Sequence, residues 1–190
     1  LVYSVKHIEK LEAGVVQFSL TSHFSLFSTE IGFIMKKLRF IWIGKLKKKF
    51  WQDAAQHYWQ RLGKYYSLEE ICLKDGPAQL EAAERIESEG QNISKKISPK
   101  DLLITLDEKG RTLSSPALAN KLQNWLEEPS TSPCFVIGGA FGLSSAIKQK
   151  SQFILSLGPL TLPHELARIV LLEQIYRAAT INLGLPYHHC

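Results

Sequence analysis

The chain has 190 residues, 45% of them hydrophobic, with a formal net charge of +5 and a sequence pI near 9.1. That length fits one domain, or one domain with an appendage, and the composition excludes a disordered chain. The basic tilt favours polyanionic partners without specifying one. Three cysteines (Cys72, Cys134 and Cys190) at wide spacing give neither a disulfide framework nor a CxxC pair, which fits a reducing cytosol.

From Ala13 to Thr29 the only ionisable side chain is His23, but Ser, Thr and Gln interrupt the apolar run repeatedly. It makes a poor membrane span, and no small-residue cleavage site marks a signal peptide. Residues 1–34 are therefore read as an appendage that need not be native, and residues 35–190 as the domain. Leu38 to Ile43 reads as a first strand ended by Gly44. Phe50 to about Tyr66 reads as a helix, with Trp51, Ala54, Ala55, Tyr58, Trp59 and Leu62 at helical spacing. Leu68 to Leu73 is a second strand, and Asp75-Gly76-Pro77 a turn. Gln79 to Ile97 reads as a polar helix with a break near Gly90. Leu102 to Asp107 is a third strand, apolar throughout its centre as in a sheet covered on both faces, and Lys109-Gly110 turns the chain. Ser114 to Glu127 is a helix with Pro116 in its first turn. Cys134 to Ile137, Leu143 to Lys150 and Phe153 to Leu157 follow as strand, short helix and strand. A helix from Glu165 to about Ile181 comes last. The alternation predicts an α/β fold: a largely parallel sheet with flanking helices. Ligands of such sheets bind beyond the carboxyl ends of strands, which directs attention to the loops after Leu106, Ile137 and Leu157.

Between Lys36 and Lys49 there are seven basic residues and no acidic one. That run is as consistent with a solvated strand end as with a phosphate-contacting patch. Gly138-Gly139-Ala140-Phe141-Gly142 is not GxGxxG, so no dinucleotide fingerprint is present. The run Leu157 to Pro163 offers backbone donors and acceptors in a dry wall, suited to an adenine-bearing ligand, and Thr161 is placed to cap the next helix. Asp107 and Glu108 are either turn residues or contacts to a ligand hydroxyl. Glu173 and Arg177 stand at the spacing of a helix-surface ion pair, and Arg168 has no visible partner. His188-His189-Cys190 is not a metal site, because adjacent residues splay apart and no second cluster exists.

Taken in order, several segments resemble the bacterial large-subunit ribosomal RNA methyltransferase H family of the knotted SPOUT methyltransferases. They are Lys37 to Lys47, Thr105 to Gly110, Ile137 to Leu143, Leu160 to His164, Glu173 to Ala178 and Pro186-Tyr187-His188. The resemblance spans Met35 to His188. It implies a C-terminal trefoil knot, a cytoplasmic homodimer, S-adenosylmethionine as cofactor, and N3 methylation of a pseudouridine in 23S rRNA on the assembled ribosome. It implies neither a metal nor a membrane. Carried over by position, the cofactor contacts are Leu106, Gly138, Leu157, Gly158, Pro159, Leu160, Thr161 and Leu162. His188 is the candidate general base for the N3 proton, Tyr187 the residue that positions or stacks on the base, and Arg168 and Arg177 the candidates for phosphate or developing charge. Two departures stand out. Phe141 occupies a position that is usually polar or acidic, and His189-Cys190 follows where Arg or Lys is common. Alternatives are an inactive ribosome-binding factor, a transfer RNA methyltransferase of the same fold, and, disfavoured by the missing fingerprint, a dinucleotide-dependent oxidoreductase.

Overall fold

Leu38, Phe40 and Trp42 alternate with Ile41 and Ile43 along one strand, and all five are buried. Successive strand side chains point to opposite faces, so this strand must be covered on both sides. In the computed structural model, which describes residues 35–187, it is the second strand of a five-stranded sheet. The strands are β1 (Lys37–Ile43), β2 (Ser67–Leu73), β3 (Asp101–Thr112), β4 (Ser132–Ile137) and β5 (Phe153–Ser156). Their order is β2-β1-β4-β3-β5, and every pairing is parallel. The register aligns Arg39 with Glu69 and Cys134, and Ile104 with Phe135 and Phe153. The outer strands are β2 and β5.

The helices are α1 (Lys49–Leu62), α2 (Ala82–Ser94), α3 (Ser115–Glu127), α4 (Ser145–Lys150) and α5 (His164–Asn182). On one face, Leu38, Phe40, Trp42, Ile104 and Phe135 pack with Leu122 of α3 and with Leu171, Leu172 and Ile175 of α5. The ring of Phe40 stacks on Phe135 at 5.5 Å and meets Trp59 of α1 at 5.4 Å. On the other face, Ile41, Ile43, Leu103, Cys134 and Val136 pack against Ile93 of α2 and Ile147 of α4. Ser114 and Ser144 start α3 and α4 as side-chain caps, and Glu81 and Glu84 form a capping box at α2.

Several boundaries differ from the expectations drawn from sequence. Gly90 does not break α2. It lies inside the helix, where a Cβ would come within 2.4 Å of Ser144 Oγ, so the residue permits close packing of the α4 start. Lys109-Gly110 does not turn the chain. Leu155 aligns with both Leu106 and Arg111, so residues 107–110 bulge out and β3 then resumes to Thr112. At Gly110 a Cβ would lie 2.8 Å from the carbonyl oxygen of Ile154, which explains the glycine at this close approach. Thr161 does not cap α5. Pro163 occupies the cap position, and no side chain caps it there.

The amino-terminal edge of the sheet is closed by charge. Arg39 is 8% exposed and donates to Asp101, to Glu69 Oε1 at 3.0 Å and to the Lys96 carbonyl at 3.4 Å. Asp101 also accepts the Ser98 amide at 2.7 Å, and Lys37 reaches Glu69 at 2.5 Å. The basic run between Lys36 and Lys49 is therefore not one patch. Arg39 is consumed internally, and β1 puts Lys36 and Lys37 about 20 Å from Lys45 to Lys49.

Candidate functional site

At the opposite, carboxyl end, three loops converge on a cleft of about 780 Å³. Leu106, Asp107, Glu108 and Lys109 enter it from the β3 bulge, and residues 137–142 from the turn after β4. Leu157, Gly158, Leu160, Thr161, Leu162 and Pro163 follow from the loop after β5, and His164 and Ala167 from the first turn of α5. The volume suits a small-molecule ligand. Of the expected cofactor contacts, Leu106, Gly138, Leu157, Gly158, Leu160, Thr161 and Leu162 all line this cleft. Pro159 is exposed and does not.

Glycines shape two of the three loops. At Gly138 a Cβ would meet the carbonyl oxygen of Gly142 at 2.5 Å, so only glycine lets the two strands of that turn approach. Gly158 takes φ +135, a region that favours glycine, where its amide and carbonyl both bond the Ser156 hydroxyl at 3.2 and 2.9 Å. The hydroxyl of Thr161 donates to Glu108 Oε2 at 2.7 Å, tying the loop after β5 to the bulge of β3.

The charged side chains of the cleft balance. Asp107 pairs with Lys148 of α4 at 2.7 Å and accepts the Lys109 amide at 2.9 Å. Burial would raise the Asp107 carboxyl, but these contacts outweigh it and hold the group below its usual value. Burial, with Arg168 nearby, lowers His164, which favours its neutral imidazole. Lys148, a cleft residue, gave no signal in the sequence. It lies 41 positions from Asp107, and only the fold brings the two together.

Of the three residues expected at the reaction centre, Arg168 and Tyr187 do not line this cleft, and His188 is not among the described residues. Arg168 is 2% exposed and points elsewhere: it donates to the Ile43 carbonyl and lies with its guanidinium carbon 5.6 Å from the Trp42 ring. It lines a second hollow of about 390 Å³ between α1 and β2, with Lys45, Glu70 and Cys72. Tyr187 packs edge-on to Tyr176, donates to Glu173 Oε1 at 3.2 Å and lies 4.8 Å from the guanidinium carbon of Arg177. Burial, then hydrogen bonding with Tyr58 and the charge of Glu173, push the Tyr187 phenol up to about 12. Glu173 and Arg177 form the expected ion pair, with Nε to Oε1 at 3.0 Å. His188 lies outside the described residues, as do His189, Cys190 and residues 1–34. Among the described residues, no group of His, Cys, Asp and Glu is placed to hold a metal, and no helix is long and apolar enough to cross a membrane.

An all-parallel sheet with a glycine-bearing cleft at its carboxyl edge and helices on both faces defines an α/β domain of the open-sheet class. Its fold matches the crystal structure of a probable methyltransferase from Bordetella pertussis Tohama I, with TM-score 0.51 and 15% identity over 76% of this chain and 95% of that one. Residues 36–188 match the family described as "Predicted SPOUT methyltransferase", and the chain belongs to that family. It is 50% identical over 155 residues to "Ribosomal RNA large subunit methyltransferase H" of Maridesulfovibrio salexigens, covering 82% of this chain and 99% of that protein. The protein of the same name from Lawsonia intracellularis is 46% identical over 154 residues, covering 81% of this chain and 98% of its own.

Proposed function

We propose that this protein uses S-adenosylmethionine to methylate N3 of a pseudouridine in 23S rRNA on the assembled ribosome. One observation carries the reading: in a member of the SPOUT methyltransferase family, the loops after three parallel strands meet in one cleft sized for a nucleoside.

The residues of the cleft fit the cofactor. Leu106, Leu157 and Leu162 supply apolar walls for a purine, and the backbone of Gly138 and Gly158 can approach its edge. Glu108 offers the carboxylate oxygen that Thr161 leaves open to ribose hydroxyls, and Lys109 supplies positive charge for an amino-acid carboxylate. When bound, S-adenosylmethionine brings an electrophilic methyl group. The protein's part is to hold the target ring in line and to remove the N3 proton. Orientation of this kind supplies roughly 7–11 kcal/mol of a barrier.

His188 is the base in this scheme, because histidine titrates near neutrality and general-base help adds about 10²–10⁴-fold. The raised phenol of Tyr187 supports the assignment indirectly: a group held near about 12 stays protonated and acts as a donor, not as a base. Arg168 serves from beneath, by fixing the end of β1 through the Ile43 carbonyl. The reading includes a cytoplasmic homodimer, with the exposed Leu183 and Leu185 after α5 offering apolar surface for it, and a trefoil knot threaded by the segment after β5.

Calorimetry with S-adenosylmethionine, followed by mass analysis of 23S rRNA and tRNA from a deletion strain, tests the reading. We expect saturable binding and the loss of one methyl mass from 23S rRNA alone. A loss confined to tRNA, or no cofactor binding, overturns it. His188→Ala is expected to lower kcat at least 100-fold with cofactor binding intact, and full activity would remove the base role.

A further inference from the structure

Phe141 departs from what its position demands. Turn tips favour polar residues, yet this ring keeps 49% of its surface exposed at the mouth of the cleft. The turn that carries it is fixed. The Gly142 amide donates to the Gly139 carbonyl at 3.1 Å, the two residues form a short antiparallel bridge, and Gly142 adopts φ +83. The ring is also braced from α2. The guanidinium carbon of Arg85 sits 5.6 Å from its centroid. Arg85 is in turn held by Glu89 Oε1 at 3.4 Å and Asp75 Oδ1 at 4.0 Å. Glu89 is 2% exposed and anchored by the Gly76 amide at 2.8 Å. Rigid backbone, a clamped cation and an exposed flat face make a prepared contact surface.

We propose that Phe141, backed by Arg85, is a stacking platform for an unpaired base of the RNA substrate. This rests on the rRNA methyltransferase reading above. N3 belongs to the pairing edge of a uracil-like ring, so the base must be unpaired when a methyl group reaches it. An unstacked base needs a replacement surface, and aromatic rings and guanidinium planes are the side chains that provide one. Position selects the occupant: the ring stands at the mouth of the cleft, not in the aliphatic wall that suits the cofactor. Charge points the same way. With Arg85 already against the ring, a second cation such as a sulfonium is disfavoured there, whereas an RNA strand gains from the guanidinium nearby.

The test compares the wild-type protein, Phe141→Leu and Phe141→Tyr in methyl transfer to ribosomes purified from a strain lacking the gene. Phe141→Leu removes the flat face and keeps an apolar side chain. It is expected to raise KM for ribosomes about tenfold, with the Kd for S-adenosylmethionine within about twofold of wild type by calorimetry. Phe141→Tyr restores the ribosome KM. An unchanged KM in Phe141→Leu overturns the proposal, and so does a cofactor Kd that weakens by the same factor as KM. If the wild-type protein binds the cofactor but transfers nothing to ribosomes, the rRNA reading itself fails and this inference falls with it.

Discussion

The two ends of the same five strands are built from opposite materials. At the amino-terminal end, Arg39, Asp101, Glu69 and Lys37 close the sheet through side-chain charge, with the Asp101 side chain only 1% exposed. At the carboxyl end the lining is rich in glycine and leucine, with one ion pair, Asp107–Lys148, among the cleft residues. The contrast has a physical reason. A buried charge pair fixes geometry but fills the space it occupies and demands complete compensation. A ligand site needs room, donors that cost no side-chain ordering, and backbone a ligand can approach closely. Charge therefore closes the end that must stay shut, and backbone shapes the end that must admit a guest.

Breaking the closed end gives the largest expected effect. Asp101→Ala removes the more deeply buried of the two carboxylates that hold the Arg39 guanidinium and takes the acceptor from the Ser98 amide. It is expected to cost about 3–5 kcal/mol in urea unfolding, with cofactor Kd unchanged in the folded fraction. A loss below about 1 kcal/mol would show that the network is replaceable by water. Gly138→Ala acts at the open end. The added methyl meets backbone that cannot swing aside, so a stability loss of about 1–3 kcal/mol should come with a loss of cofactor binding. Normal affinity in this variant would disconnect the turn from the ligand.

The smallest effect sharpens the comparison through pH. Asp107 is held below its usual value, which lies near about 4. A depressed carboxylate contributes stability that is present above its unfolded pKa and lost as pH falls through its folded one. Lys148→Met removes the partner, so it should cost about 1 kcal/mol near neutrality, and the gap to wild type should close as pH drops. Urea midpoints measured across the acid range would check this. A constant gap would mean that Lys148 acts by packing alone.

The cleft was legible because glycine and proline punctuate the chain directly after apolar strands, at Gly138 and at Gly158-Pro159. Parallel strands with such punctuation send their loops to one edge, whatever the side chains between them. What stayed hidden depends on distance or register. Nothing local announces that Arg39 will meet Asp101, 62 positions away, or that Lys148 will meet Asp107. The bulge at residues 107–110 reads as a turn because Lys109-Gly110 has turn chemistry, and only the pairing of Arg111 with Leu155 and of Thr112 with Ser156 reveals that the strand resumes. Arg168 read as a reaction-centre residue because no partner was visible. Its partners are a main-chain carbonyl and an indole on β1, groups that leave no trace in a residue pattern.

The outer strands carry a consequence for the life of the unfinished chain. Every ladder here joins segments distant in sequence, as residue 39 with residue 134, so loop-closure entropy must be met before the pairings reward it and outer strands wait exposed for their partners. Unguarded outer ladders would then recruit stray extended polypeptide. β5 is four residues long, and β2 presents the consecutive acids Glu69 and Glu70. A short margin on one side and one carrying charged side chains on the other give nascent copies little to zip together.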